Sequence, residues 1–277
     1  MKEEVRKSPE DIEAKKKLDD IAATYYVPRM LEVMNGISGE GNLRDLTPRK
    51  NLPSIDNRTV ITATIQESLA KWGRILSQQL QYKQGIMIVE SEAGTGKNFK
   101  CDILGHLTNR EIFDVSCNEY MEKEDLLFSP EIDNDGTHRK ASKLVQGLQT
   151  PGAIIVLDEI NTLKPGVSKL LNPLLDSRRY INDPQMGRIY AHPSVIIVGL
   201  MNPRYYRGTK ELSQEFVSRA RMTNDRYPEP QEEAFMISRY LDGALGKLSQ
   251  DEFDHYWEEY IVKNQRPSDR TIYNVFV

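Results

Sequence analysis

Four short apolar runs constrain this chain more than anything else in it. They are "GIMIVES" (85–91), "EIFDVSC" (111–117), "GAIIVLDEI" (152–160) and "PSVIIVGLMN" (193–202). Helical segments separate them: "GKNFKCDILGHL", "VSKLLNPLLD" and "ELSQEFVSRA". Buried strands alternating with helices are the pattern of a parallel sheet covered on both faces. A last short strand, "RMTNDRYP", follows, and no internal repeat is visible. The expected fold class is therefore α/β, with a parallel sheet flanked by helices.

The flanks read differently. "KSPEDIEAKKKLDDIAATYYVPRMLEVM" opens with Ser8 as N-cap and Pro9 at the first helical position, and Pro28 kinks or divides the helix. "NGISGEGNLRDLTPRKNLPS" is a Gly-, Asn- and Pro-rich linker, and another helix is expected over roughly 61–82. The division is an N-terminal helical segment and linker (1–47), an α/β domain (48–227) and C-terminal helices (228–277), the last near 229–241 and 251–263.

Composition closes off several classes. With 277 residues, 39% hydrophobic and 28% charged, the chain can bury a large core and has no disordered bulk. A net charge of -4 gives no global basic field for nucleic acid, although a local basic channel stays open. Cys101 and Cys117 are the only two cysteines, too few for a disulfide scaffold, and read as buried thiols in a reducing compartment. No run of about 18 apolar residues occurs, and Met1 is followed by charge rather than an apolar signal. The expectation is a cytoplasmic protein without a membrane span.

The chemistry begins in "ESEAGTGKNFK". The phosphate-loop pattern G-x-x-x-x-G-K-[ST] aligns on Gly96 and Lys97, but puts Ser91 and Asn98 where Gly and Ser or Thr are asked for. The context is nonetheless strand, small-residue turn, helix. Backbone N–H groups of residues 93 to 98 are placed to meet an anion at a helix N-terminus, within the candidate cofactor-binding stretch Glu92, Ala93, Gly94, Thr95, Gly96, Lys97, Asn98 and Phe99. Lys97 adds a point charge for the β- and γ-phosphates. Asp158 and Glu159 close the "AIIVLDE" strand at the end where open α/β sheets bind ligands. There Asp158 is suited to hold magnesium and Glu159 to orient water. Asn202 ends the next strand, within reach of a γ-phosphate or attacking water. Arg219, Arg221 and Arg270 are basic candidates, each of which alone reads better as an ordinary surface arginine.

Together "EAGTGKN", "IIVLDEINTLKPGVSKLLNPLLDSRRYI", "AHPSVIIVGLMNPRYYRG" and "ELSQEFVSRARM" resemble the AAA+ ATPases, specifically the MoxR-like branch with the CbbQ, NorQ and GvpN proteins. The resemblance runs from about residue 50 to the C-terminus. It implies a P-loop NTPase fold with a helical lid, ATP and Mg2+ as cofactors, and a ring oligomer, a hexamer, that remodels a client protein. A partner with a von Willebrand factor A domain is often involved in this branch. It casts Lys97 as the Walker A lysine, Asp158 and Glu159 as the Walker B pair, and Asn202 as sensor 1. Arg219 becomes an arginine finger reaching a neighbouring subunit's ATP, and Arg270 becomes sensor 2. "RRYINDPQMGRIYAH" is similar to the hairpin before sensor 1, and "NEYMEKEDLLFSP" falls at the helix-2 insertion.

Departures from the pattern carry their own expectations. Asn98 offers an amide oxygen in place of a hydroxyl, so ATP binds, magnesium is held through Asn98 or water, and hydrolysis is slower. "RA" at 219–220 replaces the usual "RF" and leaves Arg221 open as the finger. The chain stops just past Arg270, so that either the lid is minimal or, the favoured expectation, the sequence is part of a longer polypeptide. Two other readings remain. One is a nucleic-acid motor or defence-system NTPase, suggested by Arg178, Arg179, Tyr180, Arg188 and Tyr190. The other is an ATP-dependent scaffold without turnover.

Overall fold

The computed structural model describes residues 51–55, 60–133, 136–230, 232, 233 and 236. The expected N-terminal segment, most of the C-terminal helices and Arg270 lie outside the described residues.

Helix α1 (Ala63–Tyr82) starts at Thr62, whose hydroxyl accepts from the Ile65 N–H, and leads into strand β1 (Ile86–Glu90). The phosphate-loop segment then opens α2 (Lys97–Thr108), followed by β2 (Ile112–Ser116). A short helix α3 (Lys123–Leu127) runs into an antiparallel hairpin, β3 (Phe128–Asp133) and β4 (Gly136–Ala141). Helix α4 (Lys143–Gln149) precedes β5 (Ile154–Asp158). Two single-turn helices, α5 (Pro165–Ser168) and α6 (Asn172–Leu175), lead to a second hairpin, β6 (Tyr180–Asp183) and β7 (Gly187–Tyr190). Strand β8 (Ile196–Met201), helix α7 (Gln214–Val217) and β9 (Ala220–Asn224) complete the domain.

Five strands form one sheet in the order β2-β5-β8-β1-β9, with all four neighbouring pairs parallel. Alternate side chains of each central strand enter two different cores. Ile86, Ile88, Ile155, Leu157 and Ile197 face one side with Leu144, Leu148 and Leu174. Met87, Val89, Ile154, Val156, Ile196 and Val198 face the other, under Leu69, Trp72 and Leu76 of α1 and Ile103 and Leu104 of α2. Burial on both faces explains why these strands read as unbroken apolar runs. Among the described residues no helix is long and apolar enough to cross a membrane.

Three helical expectations change. "VSKLLNPLLD" is not one helix: α5, a 3-10 turn at Lys169–Leu171 and α6 divide it, and Pro173 in the first turn of α6 donates no N–H. "ELSQEFVSRA" keeps only the single turn of α7. The helix-2 insertion segment contributes α3, but its tail is the β3–β4 hairpin.

Candidate nucleotide site

Because the sheet is parallel, the carboxyl ends of β1, β5, β8 and β9 open on one side. Leaving β1, the chain turns through residues 91–96, with Gly94 and Gly96 at φ 79° and 73°. Both conformations belong to glycine. Ser91 has no positive φ, so the pattern's first glycine is not required here. Ser91 is instead buried, and its hydroxyl donates to Thr95 Oγ1 at 2.8 Å while Thr95 donates to the Glu92 carbonyl at 3.0 Å. The substitution thus ties the loop across its base. Among the described residues, none accepts a hydrogen bond from the backbone N–H groups of Gly94, Thr95, Gly96, Lys97 or Asn98. Successive free amides at a helix start form an anion-binding concavity. Phe99, half-buried, packs against the core under α1 and α2.

Lys97 Nζ donates to the Ser91 carbonyl at 2.7 Å, the Glu92 carbonyl at 3.0 Å and Asn202 Oδ1 at 2.9 Å. Burial lowers its pKa, and the charge of Asp158 opposes that shift. Next to it, Asn98 Nδ2 donates to Asp158 Oδ2 at 2.9 Å. The loop, the end of β5 and the end of β8 therefore meet at one place. In this contact the Asn98 amide nitrogen, not its oxygen, faces Asp158. Asp158 Oδ1 accepts from the Glu159 N–H at 2.9 Å. Glu159 is exposed and left-handed at φ 54°, an unusual conformation for a non-glycine residue and one that clusters at functional sites.

No group of three or more acidic, His or Cys residues poised to hold a metal occurs among the described residues. A magnesium site shared with phosphates needs only one or two carboxylates and water. Asp158 beside the free loop amides fits that donor set.

Arg219 stands at the other end of the sheet. Its carbonyl accepts from the Ile86 N–H, and its side chain shares a hollow with Arg221, Asp176, Gln79 and Tyr82. Its guanidinium donates to the Glu215 carbonyl at 2.6 Å and lies 3.6 Å from the Glu215 carboxylate and 3.9 Å from Asp176. The structure does not bring Arg219 or Arg221 to the phosphate loop of the same chain.

Sequence reading missed several supporting residues. Asn161, in "DEIN", donates to the Asn202 carbonyl at 2.9 Å and so places that strand end. Lys100 pairs with Asp225 at 2.8 Å, both side chains being at most 2% exposed, and Trp72 Nε1 donates to the same carboxylate. Tyr206 and Tyr227 touch the loop at Ala93. Loop tyrosines and helix lysines carry no motif, so only "DEIN" held a signal. The two thiols are buried as expected, and burial pushes Cys101 up and Cys117 up to about 12.

Residues 87–220 match the AAA domain (dynein-related subfamily). An uncharacterized protein of Staphylococcus epidermidis is 26% identical over 138 residues, 48% of this chain and 52% of that protein. One of Staphylococcus saprophyticus is 25% identical over 148 residues, 52% of this chain and 56% of that protein. Midasin of Giardia intestinalis is 28% identical over 146 residues, 52% of this chain but 3% of that protein. The chain thus spans about half the length of the two staphylococcal relatives. A solved structure of a presumed ATPase from Cytophaga hutchinsonii superposes with a TM-score of 0.52 at 14% identity, over 83% of this chain and 60% of that one, a likeness of fold. Sheet order and loop geometry fit an α/β P-loop NTPase fold, and over residues 87–220 the chain is similar to the AAA domain of the dynein-related subfamily.

Proposed function

We propose that the protein is a MoxR-like, ring-forming ATPase that binds and hydrolyses ATP with magnesium and uses the cycle to remodel a client protein. The observation that carries this reading is the convergence of Lys97 on Asn202 and of Asn98 on Asp158, which gathers loop, cation ligand and strand-end amide into one site. The amides of residues 94–98 cradle the phosphates, and Lys97 moves from its carbonyl partners to the phosphate oxygens. Asp158, oriented by Asn98, would hold the cation, and the cation would supply positive charge beside the phosphates. Glu159 is exposed beside it and positions the attacking water.

Arg219 acts on the nucleotide of a neighbouring copy. Such a finger is worth roughly 10³- to 10⁵-fold in rate, so dilute subunits turn over slowly. The hairpin β6–β7 and the segment α3–β4 face the client. A protein with a von Willebrand factor A domain is the first candidate, on the strength of the motif resemblance.

The test is ATP binding and turnover in the native chain, Lys97→Ala, Asn98→Thr and Glu159→Gln. Lys97→Ala should lose binding, Asn98→Thr should keep it with equal or faster turnover, and Glu159→Gln should bind without turnover. Native binding and turnover in Lys97→Ala would sink the site.

A second reading, a nucleic-acid motor, rests on the β6–β7 surface. The rings of Tyr180 and Tyr190 lie 5.6 Å apart, with the guanidiniums of Arg188 and Arg178 at 4.8 and 5.8 Å from the Tyr180 ring. Arg179 drops out of that set, because it is buried and donates to the Val195 carbonyl. Turnover stimulated by single-stranded DNA or RNA, and falling with salt, would favour this alternative.

A further inference from the structure

Two tyrosines from different segments meet at one alanine of the phosphate loop. Ala93 donates its N–H to Tyr206 Oη at 3.3 Å, and its carbonyl accepts from Tyr227 Oη at 2.6 Å. The N–H belongs to the 92–93 peptide and the carbonyl to the 93–94 peptide, so two consecutive planes are held. In a trans peptide the C=O and N–H point in opposite directions. Tyr227, by holding the Ala93 carbonyl, therefore turns the Gly94 N–H the other way. Tyr206, by holding the Ala93 N–H, turns the Glu92 carbonyl the other way, and that carbonyl accepts from Lys97 Nζ and Thr95 Oγ1, each at 3.0 Å.

Such fixing matters most at this position. Gly94 follows directly, and a glycine with φ 79° leaves the 93–94 plane free to rotate unless something outside the loop holds it. Both tyrosines are themselves anchored. The Tyr206 hydroxyl donates to the Glu92 carboxylate at 2.7 Å, and its N–H bonds the Pro203 carbonyl at 3.1 Å in the turn that follows Asn202. Tyr227 lies two residues beyond Asp225, whose carboxylate is held by buried Lys100 of α2 and by Trp72 of α1.

We infer that Tyr206 and Tyr227 are positioning residues that set the direction of the phosphate-loop amides, Tyr227 through the Gly94 N–H and Tyr206 through the carbonyl that seats Lys97. The inference rests on the nucleotide-binding reading above. The two hydroxyls act through the loop, each on one peptide group of Ala93. Tyr206 also joins the loop to the strand end carrying Asn202, so the Lys97–Asn202 contact and the Ala93 clamp draw on the same β8 turn.

The experiment uses Tyr206→Phe and Tyr227→Phe, each of which removes one oxygen and keeps the ring. Tyr205→Phe serves as control, since Tyr205 is 73% exposed beside Tyr206. Two readouts are taken: backbone hydrogen exchange of the peptide covering 91–99 without added nucleotide, and the Kd for ATP. Both clamp variants should speed exchange in that peptide while β5 and β8 keep their protection. Both should weaken ATP binding ~3- to 10-fold, Tyr227→Phe through the loss of one hydrogen bond and Tyr206→Phe through the loss of two, with only a small change in Tm. The control should match the native chain in both.

Native exchange over 91–99 in both clamp variants would overturn the inference, however ATP binds. So would lost protection spread over β1, β5 and β8 with a lower Tm, which is the mark of a general structural role. Should the native chain bind no ATP, the functional reading fails separately and takes the nucleotide half of this inference with it. The exchange measurement then still decides whether the clamp exists.

Discussion

Replacing Asp183 with Asn tests whether the two hairpins act as one body. Asp183 ends β6 with its side chain 1% exposed. It accepts from Arg139 of β4 in bidentate fashion at 2.8 and 3.2 Å, and from the N–H groups of Gln185 and Met186 at 3.0 and 2.7 Å. Arg139 also lies 4.2 Å above the Phe128 ring, so one guanidinium spans both hairpins. The bond to Arg139 holds the Asp183 pKa at about 2, below its ordinary 3.8. That difference corresponds to roughly 2–3 kcal/mol at neutral pH. Charge-assisted hydrogen bonds give about 1.5–3 kcal/mol independently, and Arg139 is 36% exposed, so the low end, about 2 kcal/mol, is expected.

The sign follows from the depressed pKa. The stabilisation is complete above 3.8 and disappears as pH falls through about 2. Roughly half should survive at pH 3. Urea unfolding of native and Asp183→Asn chains at pH 7 should differ by about 2 kcal/mol, or about 4–8 °C in Tm for a domain this size. The difference should shrink towards pH 3. Arg139→Ala should lose its own increment without adding fully to Asp183→Asn in a double-mutant cycle. A pH-independent difference, or strict additivity, would refute the coupling of the hairpins.

Three further outcomes are expected. Gly147→Ala should cost about 1–3 kcal/mol in urea unfolding, because a Cβ there would meet Ile155 Cγ1 at 2.8 Å and Phe113 Cβ at 3.0 Å, rigid neighbours under α4. Lys100→Met should cost about 3–5 kcal/mol, since it leaves Asp225 buried with its charge uncompensated; Lys100→Met with Asp225→Asn should recover part of that. Cys117, with its pKa pushed up to about 12, should resist thiol-specific labelling at pH 8 in the folded chain and react only after unfolding.

The strands of the sheet were legible because burial on both faces leaves a sequence trace: β1, β5 and β8 are apolar at every core position. The β3–β4 hairpin left none. "FSPEID" and "GTHRKA" mix Pro130 with charge and lack the alternation that marks a half-buried strand, and what joins this hairpin to β6–β7 is Arg139 on Asp183, a contact 44 residues apart. The site divides in the same way. Lys97, Asp158, Glu159 and Asn202 stand at fixed offsets from strand ends, so reading the strands located them. Tyr206, Tyr227 and Lys100 act through contacts set by the tertiary fold, where residue type alone says nothing. Ser91 shows the limit of pattern matching: the motif asks for glycine, but the backbone there needs none, and a hydroxyl bond to Thr95 takes its place.

Topology bears on the number of copies a working site needs. Lys97, Asp158 and Asn202 gather at the carboxyl ends of parallel strands, while Arg219 precedes β9 and hydrogen-bonds at the amino end of β1. The 5 residues of β1 separate them, roughly 15 Å, farther than an arginine side chain extends. No rotamer of Arg219 brings it to its own chain's phosphate loop. Either Arg219 has no part in the chemistry, or it serves the nucleotide of another copy. Its present partners suit the second course: apart from one backbone carbonyl, it has two loose carboxylate contacts at 3.6 and 3.9 Å, and Asp176 is already committed to Arg178 at 2.6 Å. Among the described residues its only close partner is the Glu215 carbonyl, and it lies in a hollow shared with Arg221. That geometry is why the ring belongs to the proposal rather than standing beside it.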